Sequence, residues 1–209
     1  MSVTPAPGTA TRNSHLPASP LHDLMYGHIH ASALRAVVLH GIPDLLADGP
    51  LTVDELAVRS GTQADPLHRV LRLLAMRGLF LRHTDGTYAL TDSGVALRAD
   101  VPGSQRPAVL LFTDEMFRRS AEGIEDTLRT GRTGFDAAYG RPLFEHLGSA
   151  PDKSRLFDTA MSSLTSGVNE KITRSFPFPG SGTVVDVAVG TSREETSSPP
   201  SPRTVTCIC

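Results

Sequence analysis

Residues 52–97 contain the pattern that most restricts how this chain can fold. Thr52 followed by Glu55 is typical of a capping box at the start of a helix. A second helical pattern follows and stops at Gly78. Two short β-prone runs then flank the Asp85-Gly86 step, which is typical of a hairpin turn. The order helix, turn, helix and two-stranded wing predicts a winged helix-turn-helix.

An amphipathic pattern precedes this motif. Apolar residues recur at three- and four-residue steps and predict one helix that ends near Gly41. These residues are Leu21, Leu24, Met25, Ile29, Ala33 and Val37. Such a stripe needs a covering surface, which is either the chain's own domain or a second subunit. The sequence leaves both alternatives open.

Residues 101–176 are predicted to be helical. One apolar pattern runs from Val109 and ends at Gly131, and another begins at Pro151. The region contains no paired carboxylates, no Ser-His-Asp set and no residues at the spacing of metal ligands. We therefore expect no catalytic residue and no metal site there.

The stretch Gly180–Val189 indicates the start of a different kind of domain. Turn residues lead into Thr183–Val187, a β-branched run typical of a buried parallel strand. Such a strand needs neighbours, and one βαβ unit alone takes ~30 residues. Residues 191–209 include 11 Ser, Thr or Pro residues and show no helical pattern. The sequence therefore predicts only the first strand of a nucleotide-binding type of domain.

The overall charge limits the classes of partner. A formal charge of −2 gives no electrostatic reason to expect nucleic acid or an anionic membrane. The winged helix still raises a DNA-binding alternative, with Arg69, Arg72 and Arg77 as candidate phosphate contacts. Acidic and basic residues balance across the motif, which favours solvated or structural arginines. The DNA-binding alternative stays open.

Other features favour the cytoplasm as the location of the protein. No apolar run approaches the ~18 residues of a membrane span. Residues 1–20 lack the apolar core of a secretory signal. The two cysteines, Cys207 and Cys209, make a poor metal site and are expected to be exposed thiols.

Five segments, in order, resemble the amino-terminal half of S-adenosylmethionine-dependent O-methyltransferases of the plant-caffeate or bacterial natural-product type. The segments are His40–Leu46, Leu51–Ala57, Leu74–Phe80, Gly140–Leu147 and Phe157–Met161. The resemblance implies that the winged helix is a scaffold for a homodimer, with amino-terminal helices that interlock with the second subunit. It also implies methyl transfer from S-adenosyl-L-methionine to a hydroxyl of a small aromatic or polyketide-like natural product.

The resemblance assigns three site residues. Asp186 and Gly190 match the first cofactor motif of the family, and Met161 matches a position that lines the acceptor pocket. A supporting role for Asp186 at the strand end and a core role for Met161 stay open. No catalytic residue is identified, because the base of the family is a histidine in a carboxy-terminal domain that has no match in this sequence.

The cofactor motif departs from the family at Val189, which stands in the place of a glycine. A β-branched side chain disfavours positive φ and would crowd a ligand. A reading-frame shift after Ala188 is a hypothesis that accounts for this change and for the tail that follows, and sequencing the gene tests it. We therefore expect a truncated O-methyltransferase whose chain is inactive and acts at most as a dimerisation module. The alternatives are a DNA-binding regulator and a non-catalytic partner subunit.

The predicted fold class is mainly α. It combines a winged helix-turn-helix dimerisation domain, a helical linker and only the first strand of a Rossmann-like methyltransferase domain. The predicted segments are a disordered tail (1–20), the winged-helix dimerisation domain (21–100), a helical connector with substrate-pocket helices (101–176), the start of a Rossmann-like cofactor domain (177–190) and a disordered, possibly frameshifted tail (191–209).

Overall fold

A computed structural model describes residues 20–175, apart from the side chains of residues 166–170 and 172–174. The helices are α1 (Pro20–Met25), α2 (Gly27–Leu39), α3 (Ile42–Leu45), α4 (Val53–Ser60), α5 (Ala64–Met76), α6 (Asp92–Val95), α7 (Arg106–Phe112), α8 (Glu115–Glu122), α9 (Ile124–Thr130), α10 (Gly134–Tyr139), α11 (Leu143–Gly148) and α12 (Pro151–Ser175). The strands are β1 (Phe80–Arg82) and β2 (Tyr88–Leu90). The chain divides between Glu115 and Met116 into two compact units.

The first unit is built around a helix-turn-helix formed by α4 and α5. Thr52 Oγ1 accepts a hydrogen bond from the Glu55 backbone N–H (3.3 Å), and the Thr52 N–H donates to the Glu55 carboxylate (2.8 Å). These reciprocal bonds satisfy backbone groups that a helix start leaves unpaired. Gly61 ends α4 at φ 67°, and Gly78 follows α5 at φ 77°. The predicted capping box is confirmed.

Strands β1 and β2 form the wing. They pair antiparallel, with Phe80 opposite Leu90. In the turn between them, Asp85 Oδ1 accepts hydrogen bonds from the N–H and the hydroxyl of Thr87, at 2.9 and 2.7 Å. These bonds hold the pKa of the Asp85 carboxyl below its ordinary value. Gly86 has φ 89°, a conformation that glycine adopts without strain. The predicted hairpin, and with it the winged helix-turn-helix, is confirmed.

Side chains from helices and wing meet in one apolar core. Its fully or almost fully buried members include Val38, Ile42, Leu56, Leu71, Leu74 and Phe80. Burial of each large apolar side chain contributes about 1.5–3 kcal/mol. Tyr88 is also fully buried, and its hydroxyl lies 3.3 Å from His68 Nδ1, so the phenol has a polar partner. Burial raises the pKa of Tyr88 above its ordinary value.

Two ion pairs join α7 and the residues just after it to the other helices of the first unit. Arg106 Nη1 lies 2.7 Å from Asp44 Oδ2, and the other carboxylate oxygen of Asp44 accepts a hydrogen bond from the Ala99 N–H at 2.7 Å. Arg35 of α2 lies 3.5 Å from Asp114, which is buried. A buried carboxylate needs such a partner, because its charge loses water on burial. The end of α7 is therefore held on α2.

The second unit contains α8 to α12, with Glu115 of α8 at its border. Gly131 and Gly140 end α9 and α10 in the left-handed region, at φ 73° and 71°. Helices α8 and α10 approach closely at Gly134, where an added Cβ would lie 2.1 Å from the Ser120 carbonyl oxygen. The short helices therefore depend on glycine both at their ends and at their contacts. The helix predicted to begin at Pro151 is confirmed.

Two helices that the periodicity predicts as continuous are interrupted. The first divides at Tyr26 into α1 and α2. The second, predicted to run to Gly131, divides into α7, α8 and α9. After α7, the Thr113 hydroxyl donates to the Val109 carbonyl at 2.5 Å, a local bond that competes with the regular helix ladder. Gly123 separates α8 from α9.

The predicted mainly helical fold class is confirmed over the described residues. The predicted Rossmann-like strand, at 177–190, lies outside them. The predicted boundaries of the individual domains stay predictions.

Candidate functional site

An uncovered apolar strip lies on α1 and the start of α2. We name the side chains of Leu21, Leu24, Met25 and Ile29 the α1–α2 strip; they are 65%, 81%, 54% and 45% exposed. Further along α2, Val37 is buried in the core of the first unit. The stripe predicted from the sequence is therefore divided. Its second half, which includes Val37, packs on the chain's own domain, and its first half, the α1–α2 strip, is exposed. Exposed large apolar side chains that recur at helical spacing indicate an interaction site.

A cavity of about 160 Å³ opens between α2 and the start of α5. Val37 of α2 and His40 just after that helix line it together with Leu67 and Val70 of α5. The lining is mostly apolar, and no set of acid, base and nucleophile converges on it. The cavity therefore suits an apolar group rather than a chemical reaction.

Three side chains join α1 to α2 and α5, and we name them the Asp23–Arg77–His30 cluster. Arg77 Nη1 lies 2.5 Å from Asp23 Oδ1. Arg77 Nη2 lies 3.1 Å from His30 Nδ1 and 3.2 Å from His30 Nε2. Loss of water around His30, and then the charge of Arg77, lower the pKa of His30 below 6.5, while the Asp23 carboxylate acts in the opposite direction.

Sequence reasoning missed this cluster. The sequence places His30 on the first helix, but its partner Arg77 is 47 residues away along the chain. Helical periodicity reports which residues share a face, and it carries no information on pairs between distant helices. No local signal could have found the cluster.

Two of the three arginines proposed as phosphate contacts are engaged within the chain. Arg69 Nη2 lies 2.6 Å from Asp65 Oδ2 on the same helix. Arg77 belongs to the cluster above, and Arg72 is exposed on α5. Carboxylate partners offset the charge that would otherwise attract phosphate, and this offset disfavours a DNA-reading role for α5.

Met161, the candidate acceptor-pocket residue, is partly buried on α12. Phe157 precedes it by one helical turn and is also partly buried. The ring of Phe157 meets the ring of Phe144 of α11 edge to face, with centroids 6.0 Å apart, and Phe144 is 74% exposed. This part of the second unit therefore presents aromatic and thioether groups, a surface suited to an aromatic molecule. The role of Met161 stays a prediction.

Aromatic and basic side chains pack together where α8, α10 and α11 meet. The rings of Phe135 and Tyr139 stack with centroids 4.7 Å apart, and the His146 ring meets Tyr139 at 4.8 Å. The guanidinium of Arg119 lies 5.2 Å from the centre of the Tyr139 ring. These contacts stabilise the short helices of the second unit.

The two candidate cofactor residues, Asp186 and Gly190, lie outside the described residues. Within the part of the chain that the structure describes, no three His, Cys, Asp or Glu side chains group as a metal site. None of the described helices has both the length and the apolar character needed to cross a membrane.

Comparison with known families gives one match. The O-methyltransferase dimerisation domain family matches residues 22–100. This range includes the α1–α2 strip except Leu21, all three residues of the Asp23–Arg77–His30 cluster, and the whole wing.

Curated relatives extend the likeness beyond that domain. The chain is 30% identical over 184 residues to phenazine O-methyltransferase PhzM of Lysobacter antibioticus, covering 86% of this chain and 54% of that protein. It is 32% identical over 192 residues to a mitomycin biosynthesis 6-O-methyltransferase of Streptomyces lavendulae, covering 88% of this chain and 52% of the relative. The chain thus spans about half the length of the curated relatives that it matches.

Solved structures show the same extent of similarity. CalO1, a methyltransferase of calicheamicin biosynthesis solved with SAH bound, is 38% identical with a TM-score of 0.67, covering 78% of this chain and 48% of that one. LaPhzM is 30% identical with a TM-score of 0.69, covering 76% and 47%. The chain is therefore similar to the amino-terminal half of bacterial natural-product O-methyltransferases.

Proposed function

We propose that this chain is the dimerisation and acceptor-side part of an O-methyltransferase, because residues 22–100 match the O-methyltransferase dimerisation domain family. The reaction of the whole enzyme is methyl transfer from S-adenosyl-L-methionine to a hydroxyl of a small aromatic natural product. Catalysis of this kind depends mainly on holding the methyl group in line with the acceptor oxygen while a base removes the proton. The relatives from phenazine and mitomycin biosynthesis support the substrate class.

Residues 21–100 form the dimerisation domain in this proposal, and residues 101–176 carry the helices on the acceptor side. Met161, one helical turn after Phe157 on α12, faces the acceptor, and Asp186 and Gly190 occupy the positions that contact the cofactor in the family. The ion pairs that Arg69 and Arg77 form with carboxylates of the chain support a scaffold role for the winged helix rather than binding to DNA.

A homodimer forms through the α1–α2 strip, and the coincidence of this strip with the family match is the observation that carries the proposal. Covering four exposed apolar side chains removes their surface from water, at roughly 25 cal/mol per Å². A second copy presents the same strip, so a two-fold contact covers both surfaces at once.

The mass of the protein in solution, measured by light scattering over a range of concentrations, tests the homodimer. We expect a dimer for the unchanged chain and a dissociation constant at least about tenfold higher for Leu24→Gln. Leu128→Gln is the matched control, since Leu128 is a leucine that is 84% exposed on α9 of the second unit. A monomer at all concentrations, or equal effects of the two substitutions, would contradict the role of the strip.

We further propose that the 209-residue chain alone does not hold S-adenosyl-L-methionine, as expected for an inactive dimerisation module. The support is Val189, which stands where the family has a glycine that lets the backbone approach its ligand. Calorimetry with S-adenosyl-L-methionine tests this, with CalO1 as the positive control, and we expect no heat of binding. Micromolar affinity would overturn the proposed inactivity and leave the dimer proposal untouched.

A further inference from the structure

Helix α1 is attached to the first unit mainly by polar contacts. None of its six residues is buried, so little apolar burial holds it in place. The ion pair between Asp23 of α1 and Arg77 at the end of α5 joins it to the body of the unit. At Tyr26, with φ −98° and ψ 5°, the chain leaves the regular helix before α2 begins, so α1 and α2 are separate elements.

The position of Arg77 depends in turn on His30 of α2. A neutral imidazole has one nitrogen that accepts a hydrogen bond, whereas an imidazolium has none. Arg77 Nε donates to His30 Nε2 at 3.4 Å, and Arg77 Nη2 lies within 3.2 Å of both ring nitrogens, so the guanidinium contacts the neutral ring and uses Nε2 as an acceptor. Protonation of His30 would remove this acceptor and place two positive charges in contact.

The other charged groups around His30 are few. Asp23 faces it from α1, Arg77 from α5 and His28 from its own helix. Helix α7 also packs on α2, and its Arg106 forms an ion pair with Asp44. The loss of water and then the repulsion from Arg77 lower the pKa of His30, and together they outweigh the attraction of Asp23. His30 is therefore mainly neutral at pH 7, and its protonation requires a pH below 6.5.

We propose that the Asp23–Arg77–His30 cluster is a pH-sensitive latch that holds α1 on the first unit when His30 is neutral and releases it when His30 is protonated. Release turns α1 about Tyr26 and leaves α2 and the core in place. Since α1 carries Leu21, Leu24 and Met25, the latch controls how most of the α1–α2 strip is presented.

Hydrogen–deuterium exchange of the full chain, read by mass spectrometry and corrected for intrinsic exchange rates, tests the latch. We expect the protection of the α1 amides to fall about two- to fivefold between pH about 7.5 and pH about 5.5, an effect typical of a partly exposed ion pair. The amides of α5 should keep their protection. Measurement at several protein concentrations separates protection within the chain from protection by dimerisation. The latch proposal is therefore tested separately from the homodimer proposal.

Three variants and one titration complete the test. His30→Gln should make α1 protection independent of pH, and His28→Gln, a change of the neighbouring histidine on the same helix, should keep the response of the unchanged chain. Asp23→Asn should leave α1 weakly protected at both pH values. NMR titration of the unchanged chain should show His30 and the α1 amides changing together below pH 6.5. A His30→Gln chain with the original response, or α1 amides that do not follow His30, would overturn the proposal.

Discussion

At the scale of single residues, Gly94 shows how closely α6 packs on the wing. A Cβ at this position would lie 2.0 Å from the Leu79 carbonyl oxygen and 3.2 Å from Leu90 Cδ2. The Gly94 N–H also donates to Thr91 Oγ1 at 3.1 Å, and that hydroxyl donates to the Gly78 carbonyl at 2.6 Å. A side chain at Gly94 must therefore displace backbone that is held by hydrogen bonds.

We expect Gly94→Ala to lower the free energy of unfolding by roughly 1–3 kcal/mol, because the added methyl group overpacks a site bounded by backbone. Thermal unfolding followed by circular dichroism measures this. Gly27→Ala is the control in the same unit, since nothing lies within 4 Å of a Cβ there. Its stability should stay the same or rise by less than about 1 kcal/mol. Equal stability of the two variants would show that the contact at Gly94 is looser than described.

At the scale of elements, the capping box at the start of α4 makes the stability of the fold depend on pH. Hydrogen bonds from the Thr52 backbone and then from its hydroxyl hold the pKa of Glu55 below 4.5. The folded protein therefore prefers charged Glu55 more strongly than the unfolded chain does. The resulting stability is fully present above the unfolded pKa and is lost as the pH falls through the lower, folded pKa.

We expect the stability difference between the unchanged chain and Glu55→Gln to shrink as the pH falls from neutral through 4.5 and below. Glutamine keeps the size of the side chain and cannot ionise. Urea unfolding at a series of pH values measures the difference, and Asp54→Asn, a change of the exposed acid beside it, serves as the control. A difference that is independent of pH would mean that the capping carboxylate contributes nothing through its charge.

The same elements show what the sequence could predict. The Thr52–Glu55 box and the Asp85-Gly86 turn are local, and their chemistry fixes the backbone within a few residues. The break at Tyr26 was missed, because tyrosine neither lacks an N–H nor favours positive φ. The contacts of Arg77 with Asp23 and His30 were missed because they join helices that only the tertiary fold brings together. Periodicity also could not decide whether the strip starting at Leu21 packs inside the domain or outside it.

At the scale of the whole molecule, the first unit has a core of its own. Every buried residue of this core lies between Ala33 and Leu97, and Val109 and Leu110 of α7 pack against it. Arg106–Asp44 and Arg35–Asp114 add polar contacts that join α7 and the residues just after it to the rest of the unit. The apolar burial needed for folding is thus present before Met116.

We expect a chain that ends at Glu115 to fold by itself and to unfold in one cooperative thermal transition, followed by circular dichroism. A chain that ends at Leu97 is the control. It lacks α7 and both ion pairs, so it should unfold at a lower temperature. Absence of a cooperative transition in the longer chain would mean that the first unit needs the second one.

Tyr88 gives the protein a built-in optical probe. The chain has three tyrosines and no tryptophan, so its near-ultraviolet absorbance comes mainly from phenol rings. Tyr26 is 48% exposed and Tyr139 is partly buried, whereas Tyr88, in strand β2 of the wing, is fully buried. Burial raises the pKa of Tyr88 above 10.0, so the folded state resists its ionisation and loses stability as alkali drives the pH past that value. In an alkaline titration, the last phenolate signal to appear would therefore report the moment at which the wing opens.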